Sequence, residues 1–166
     1  MKIALLGYGK MGKVIETVAL SRGHEIVATI DKKEDWLQKD DAIKQAQVAI
    51  EFSVPEAALQ NIAACFERNL PVVVGTTGWY DHLEEIKAKC ESDNKSLFYA
   101  SNFSIGVNIF FEINKKLAEL MNPYEDYDVY MEETHHIHKL DAPSGTAISL
   151  ANQILENINR KKNWTI

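Results

Sequence analysis

Short apolar runs and helically spaced apolar positions alternate along the first hundred residues. Lys2–Leu6, Ile26–Ile30, Val48–Phe52, Pro71–Val74 and Leu97–Ala100 are brief, nearly continuous apolar stretches, the form taken by strands buried on both faces of a parallel sheet. Between them, Lys10–Ser21 carries Met11, Val14, Ile15, Val18 and Ala19 at helical spacing and is stopped by Gly23. Pro55 opens a helix bearing Ala58, Leu59, Ile62, Ala63 and Phe66, and Leu83–Cys90 is a third. Lys32–Ala46 is polar and at best weakly helical. Strands alternating with helices predict βαβ units, an α/β architecture with a doubly wound parallel sheet of Rossmann type.

The pattern changes after Phe103. A long helix is predicted from about Ile105 to Met121, ended by Asn122-Pro123. Asp128–Thr134 alternates and is a strand candidate, and Ser144 to about Ile158 is a last helix. One strand and two helices leave backbone groups unpaired, so either further chain is missing after Ile166 or this strand pairs with another chain. The expected organisation is a dinucleotide-binding domain over 1–104, then the beginning of an α+β substrate-binding and catalytic domain over 105–166 whose remainder is missing.

Gly7-Tyr8-Gly9-Lys10-Met11-Gly12 is a G-x-G-x-x-G turn that closes the first strand and opens the first helix, with Asp31 ending the second strand about 20 residues on, the context dinucleotide binding requires. Gly7 permits the tight turn, Gly9 lets a pyrophosphate approach the backbone, and Gly12 lets helix and sheet pack closely. The helix start offers unpaired N–H groups to phosphate. A bare glycine turn without ligand is the bland alternative. Asp31 suits ribose hydroxyls and hence NAD, whereas Lys32 and Lys33 could neutralise a 2′-phosphate or simply be an exposed loop, so NADH and NADPH both stay open. Gly75-Thr76-Thr77-Gly78 and Ala100-Ser101-Asn102-Phe103 follow the fourth and fifth strands, at the carboxyl edge where such ligands sit.

Three of the five histidines lie within His135–His138. If the strand continued through Lys139, period-two geometry would put His135, Ile137 and Lys139 on one face, a pair suited to proton transfer. A metal site is the rival, disfavoured by the neighbouring lysine and the lack of further ligands at suitable spacing; a polar strand end is the plain alternative. Ser144 is a candidate N-cap, which puts Gly145 and Thr146 in a first turn able to bind an anion, close to His136 and Lys139; an ordinary capped helix would look the same.

The net charge of −6 argues against nucleic acid as a partner. The one dense basic cluster, Arg160-Lys161-Lys162, is expected to be a solvated helix end. Cys65 and Cys90 are far apart and are expected to be reduced thiols of a cytoplasmic protein. No apolar run approaches the ~18 residues a membrane span needs, and the strand pattern at the N-terminus is not that of a signal peptide.

The segment HHIHKLDAPSGTA, with GYGKMG, GTTG and SNFSIGVN before it in that order, resembles the 4-hydroxy-tetrahydrodipicolinate reductase (dihydrodipicolinate reductase) family from Lys2 to about Ile158. That resemblance implies an enzyme of lysine and diaminopimelate biosynthesis, transferring hydride from NADH or NADPH to a cyclic unsaturated dicarboxylate, and a homotetramer in the full-length form. It implies His135 as proton donor or acceptor, Lys139 as proton donor, and His136, Gly145 and Thr146 as substrate carboxylate contacts. Cofactor contacts would be Gly7, Tyr8, Gly9, Lys10, Met11, Gly12, Asp31, Gly75, Thr76, Thr77, Ala100, Ser101, Asn102 and Phe103, with no metal. The phosphate turn is one residue tighter than in many relatives, the stretch between the second and third strands is short, and family members continue with further strands, so a C-terminally truncated form is expected. Two alternatives stand beside it: a catalytically incomplete Rossmann module that only binds NAD(P)H, and another dehydrogenase of the same architecture.

Overall fold

The computed structural model describes residues 1–137 and 142–166. The chain forms two compact units, Met1–Ala100 and Ser101–Ile166. The first is built on five parallel strands, β1 (Lys2–Leu6), β2 (Glu25–Ile30), β3 (Val48–Glu51), β4 (Val72–Val74) and β5 (Leu97–Tyr99), in the order β2-β1-β3-β4-β5. The order reverses between β1 and β3. In sheets of this kind that reversal opens a crevice at the strands' carboxyl ends.

Alternate residues of each strand feed two cores. Ile3 and Leu5 of β1 meet Ala19 of α1 (Lys10–Ser21), with Ile15, Val48 and Ile50 packed around them. On the opposite face Ala4, Leu6, Ala49, Val72 and Val74 pack against Ala58, Ile62, Cys65 and Phe66 of α4 (Pro55–Glu67) and Ile86 of α5 (Leu83–Ser92). Pro55 stands in the first turn of α4, where its missing N–H costs nothing. The polar stretch between β2 and β3 makes two single-turn helices, α2 (Asp35–Gln38) and α3 (Asp40–Ile43), which bury Trp36 and Ile43 against this second core. These two apolar anchors, with Arg68 over the Trp36 ring and paired with Asp40, order a segment whose average composition reads as polar.

The second unit is a helix pair, α6 (Ile105–Met121) and α7 (Gly145–Asn157), with Ala118, Ile154 and Ile158 buried between them. Asn114 Nδ2 donates to Leu150 O at 3.1 Å and to Gln153 Oε1 at 3.0 Å. The expected strand at Asp128–Thr134 does not form: these residues are exposed and carry no ladder. A strand is defined by its neighbour, and none of the described residues supplies one. The basic cluster also differs from expectation. Arg160 donates to the carbonyls of Asn122, Tyr124 and Tyr127, and Lys161 pairs with Asp128, so these cations tie down the loop after α6 rather than decorating a helix end.

Candidate cofactor groove and histidine site

The glycine-rich turn owes its shape to two contacts that exclude side chains. Gly7 has φ +89°, and a Cβ there would lie 2.3 Å from Phe52 O. A Cβ on Gly12 would lie 2.3 Å from Gly7 O, so the first turn of α1 presses directly on the loop. At Gly9 a Cβ would meet nothing within 4 Å: this glycine is not demanded by packing, and the space beside it is open. Gly9 is also the N-cap of α1 and provides no side-chain cap, which leaves the helix start able to take an anion.

The turn is anchored to the second strand. Gly7 N–H donates to Ile30 O at 2.7 Å, and Tyr8 N–H to Asp31 Oδ1 at 2.9 Å. Asp31 is in turn held by Asp35, whose Oδ2 accepts from the N–H groups of Asp31 (2.8 Å) and Lys32 (3.0 Å). Those two amides, Asp31's foremost, and then Lys39 hold the Asp35 carboxyl down at about 2.

Ligand clefts commonly enclose about 300–1,000 Å³; here a groove of about 360 Å³ is lined by Gly9, Lys10, Met11, Phe52, Ser53, Pro55, Gly75, Thr76 and Thr77. It therefore unites the glycine-rich turn with the Gly75–Thr77 segment at the carboxyl edge. Ser53 N–H donates to Thr76 Oγ1 at 2.8 Å, joining the loops after β3 and β4. Trp79, buried, donates from Nε1 to Thr76 O at 2.8 Å and packs edge-on to Tyr99. Beneath the groove Glu51 is wholly buried; its Oε1 takes the Ser53 hydroxyl and amide and, at 3.3 Å, Asn61 Nδ2. Ala100 N–H donates to Val74 O at 3.2 Å and extends the ladder. Ser101, Asn102 and Phe103 belong to the second unit, where Asn102 Oδ1 accepts from Ser104 N–H at 2.8 Å and helps start α6.

The histidine segment is organised by a residue the sequence had not singled out. Glu133 Oε1 accepts Ser144 N–H at 2.8 Å; its Oε2 accepts the Ser144 hydroxyl at 2.6 Å and lies 2.8 Å from His135 Nε2. The Ser144 hydroxyl first, then its amide and then His135 hold the Glu133 carboxyl at about 2. Ser144 is the N-cap of α7, accepting from Ala147 N–H at 3.0 Å. His135 is thus one shared carboxylate away from the turn that contains Gly145 and Thr146, and a Cβ on Gly145 would meet nothing within 4 Å. His136 is exposed beside it. Lys139 lies outside the described residues, as do His138 and Asp141, and without a strand the one-face pairing of His135 with Lys139 loses the geometry it was drawn from. Among the described residues no three His, Cys, Asp or Glu side chains group as metal ligands, and no helix is long and apolar enough to cross a membrane.

Comparison with known proteins agrees with this architecture. Residues 1–103 match the family described as "Dihydrodipicolinate reductase, N-terminus", and residues 106–166 match "Dihydrodipicolinate reductase, C-terminus". The chain is 51% identical over all its 166 residues to the 4-hydroxy-tetrahydrodipicolinate reductase of Christiangramia forsetii, covering 69% of that protein. The chain belongs to the dihydrodipicolinate reductase family.

Members of the family are NAD(P)H-dependent oxidoreductases. Among solved structures the chain is similar to the dipicolinate-bound dihydrodipicolinate reductase from Paenisporosarcina sp. TG-14, with a TM-score of 0.72, 26% identity, and coverage of 99% of this chain and 69% of that one. A homoserine dehydrogenase from Thiobacillus denitrificans shares the fold alone, with a TM-score of 0.51, 16% identity, and coverage of 71% of this chain and 33% of that one.

Phe52, Ser53 and Pro55 line the groove although the sequence motifs did not mark them. The carboxyl-edge rule that picked out the loops after the fourth and fifth strands applied equally after the third. Glu133 carried no stronger mark in the sequence than an acidic side chain two positions before His135.

Proposed function

We propose that this chain is an NAD(P)H-dependent 4-hydroxy-tetrahydrodipicolinate reductase, reducing dihydrodipicolinate (4-hydroxy-tetrahydrodipicolinate) to tetrahydrodipicolinate in lysine and diaminopimelate biosynthesis in the cytoplasm. The observation that carries the cofactor half is Gly9: an open position on an uncapped helix start, between two glycines that packing does require. Gly7 through Gly12, Asp31, Gly75 through Thr77 and Ala100 through Phe103 are proposed to hold NADH or NADPH. The dinucleotide would then belong to a domain over 1–104 and the substrate to one over 105–166. When bound, the nicotinamide supplies the hydride.

The chain's own residues bind and deliver protons. The first turn of α7 offers the backbone N–H groups of Gly145 and Thr146 to a substrate carboxylate, and His136 adds a donor. Lys139 or His135 supplies the proton that completes the reduction, a role worth about 10²–10⁴-fold in rate. A small cyclic dicarboxylate fits these cationic and N–H donors, and the net charge of −6 disfavours nucleic acid as a partner. The full-length form is proposed to be a homotetramer.

Titration with NADH followed by pyridine-2,6-dicarboxylate separates this function from a bare nucleotide module. Cooperative binding of both ligands is expected; binding of NADH alone would favour the module. Lys139→Ala is expected to slow turnover about 10²-fold or more while changing the NADH Kd little, and unaltered turnover would remove Lys139 from the proton path.

A further inference from the structure

We propose that Glu133 is the positioning residue for His135: it receives the imidazole Nε2–H and thereby leaves Nδ1 as the nitrogen that exchanges the proton. This builds on the proton-transfer role proposed above for His135.

The geometry is that of an acceptor fixed before the histidine arrives. Glu133 Oε1 is held by Ser144 N–H at 2.8 Å and Oε2 by the Ser144 hydroxyl at 2.6 Å. Ser144 is itself buried and is committed as the N-cap of α7. The carboxylate plane is therefore set by the helix start, and the 2.8 Å contact to His135 Nε2 orders one further ring. That separates it from an ordinary surface pair, in which two mobile side chains must both be ordered.

An ionised carboxylate can only accept hydrogen bonds. The Nε2 facing it must therefore carry the hydrogen, and in the neutral ring the lone pair is then on Nδ1. The same carboxylate grips the residue that starts α7. One side chain thus fixes the ring orientation of His135 relative to Gly145 and Thr146, where the substrate carboxylate is proposed to bind.

Glu133→Gln tests the assignment because it keeps one half of the contact and inverts the other. Its amide oxygen can still accept Ser144 N–H, while its NH₂ group stands where Oε2 was and donates. His135 Nε2 must then accept, and the ring moves toward the Nδ1–H tautomer. Nitrogen-15 spectra of the imidazoles in the full chain, with His135 assigned by loss of its signal in His135→Gln, read this directly. Wild type is expected to be Nε2–H and Glu133→Gln to shift toward Nδ1–H, with circular dichroism showing helix content retained. An unchanged tautomer ratio overturns the proposal.

A second measurement needs no Glu133 variant. In wild type the His135 Nε2–H should exchange with solvent more slowly than that of His82, whose contact to Glu85 is through Nδ1 at 3.6 Å; equal exchange overturns the proposal too. In turnover, a wrongly presented ring should lower kcat about 10²-fold or more with the KM for NADH little changed. A tautomer switch with kcat intact would instead keep the Glu133 assignment and end the proton-transfer role of His135.

Discussion

At the scale of single residues, the glycine-rich turn separates packing from binding. Gly12 is required because a Cβ would strike Gly7 O at 2.3 Å, whereas Gly9 faces open space. Gly12→Ala is expected to destabilise the protein by about 1–3 kcal/mol through overpacking. Gly9→Ala should lose only a few tenths to about 1 kcal/mol, since alanine is a poorer N-cap than glycine. NADH affinity should nonetheless drop roughly tenfold or more, because the new methyl occupies the approach to the helix start. Thermal melting paired with NADH fluorescence titration checks both. A Gly9→Ala protein that bound NADH like wild type would mean the open space is not the phosphate site. The glycine spacing and the part each glycine would play were legible from the motif; the neighbours that press on Gly7 and Gly12, Phe52 O and Gly7 O, were not, since they depend on how the end of β3 and the first helical turn meet the loop.

At the scale of elements, two helix starts are organised by carboxylates. Asp35 begins α2 and holds the Asp31–Lys32 backbone, and Glu133 secures the N-cap of α7. Both carboxyls are held at about 2, below their ordinary values of 3.8 and 4.5. A carboxyl whose folded pKa is depressed contributes stability that is fully present above its unfolded pKa and is lost as pH falls through the folded one. Stability to urea should therefore fall between pH 4.5 and about 2. Asp35→Asn should flatten part of that slope, and an equal slope in the variant would show that Asp35 is not among the groups responsible. The helices themselves were readable from apolar spacing and from Ser144. The strand expected at Asp128–Thr134 was not realised, because alternation shows that a segment could pair but does not provide the partner.

At the scale of the molecule, the two units carry cores of different size. Met1–Ala100 buries both faces of its sheet, while among its described residues Ser101–Ile166 buries Ala118, Leu150, Ala151, Ile154 and Ile158 and leaves Ile105, Ile109, Ile113, Leu117 and Leu120 of α6 exposed. A small unit with so little buried apolar surface has little to set against chain entropy. Residues 1–104 made alone are expected to unfold cooperatively and to retain NADH binding, whereas 105–166 alone should show no cooperative transition. A sharp unfolding transition from the second fragment would contradict this.

Sequence by itself determined what is local or periodic. Strand and helix order, the glycine fingerprint, the acidic residue closing the second strand and the serine starting α7 all follow from spacing of 2 or 3.6 and from backbone chemistry that acts within a few residues. It also determined the family, because a long, ordered set of motifs is itself a local record. Only the tertiary structure decided that Phe52 and Ser53 join the glycine-rich turn in one groove, that Glu51 lies buried beneath it, and that Glu133 links His135 to the helix carrying Gly145 and Thr146. Those contacts form between residues brought together by strand order and by chain reversal, and no local pattern encodes a distance across a fold.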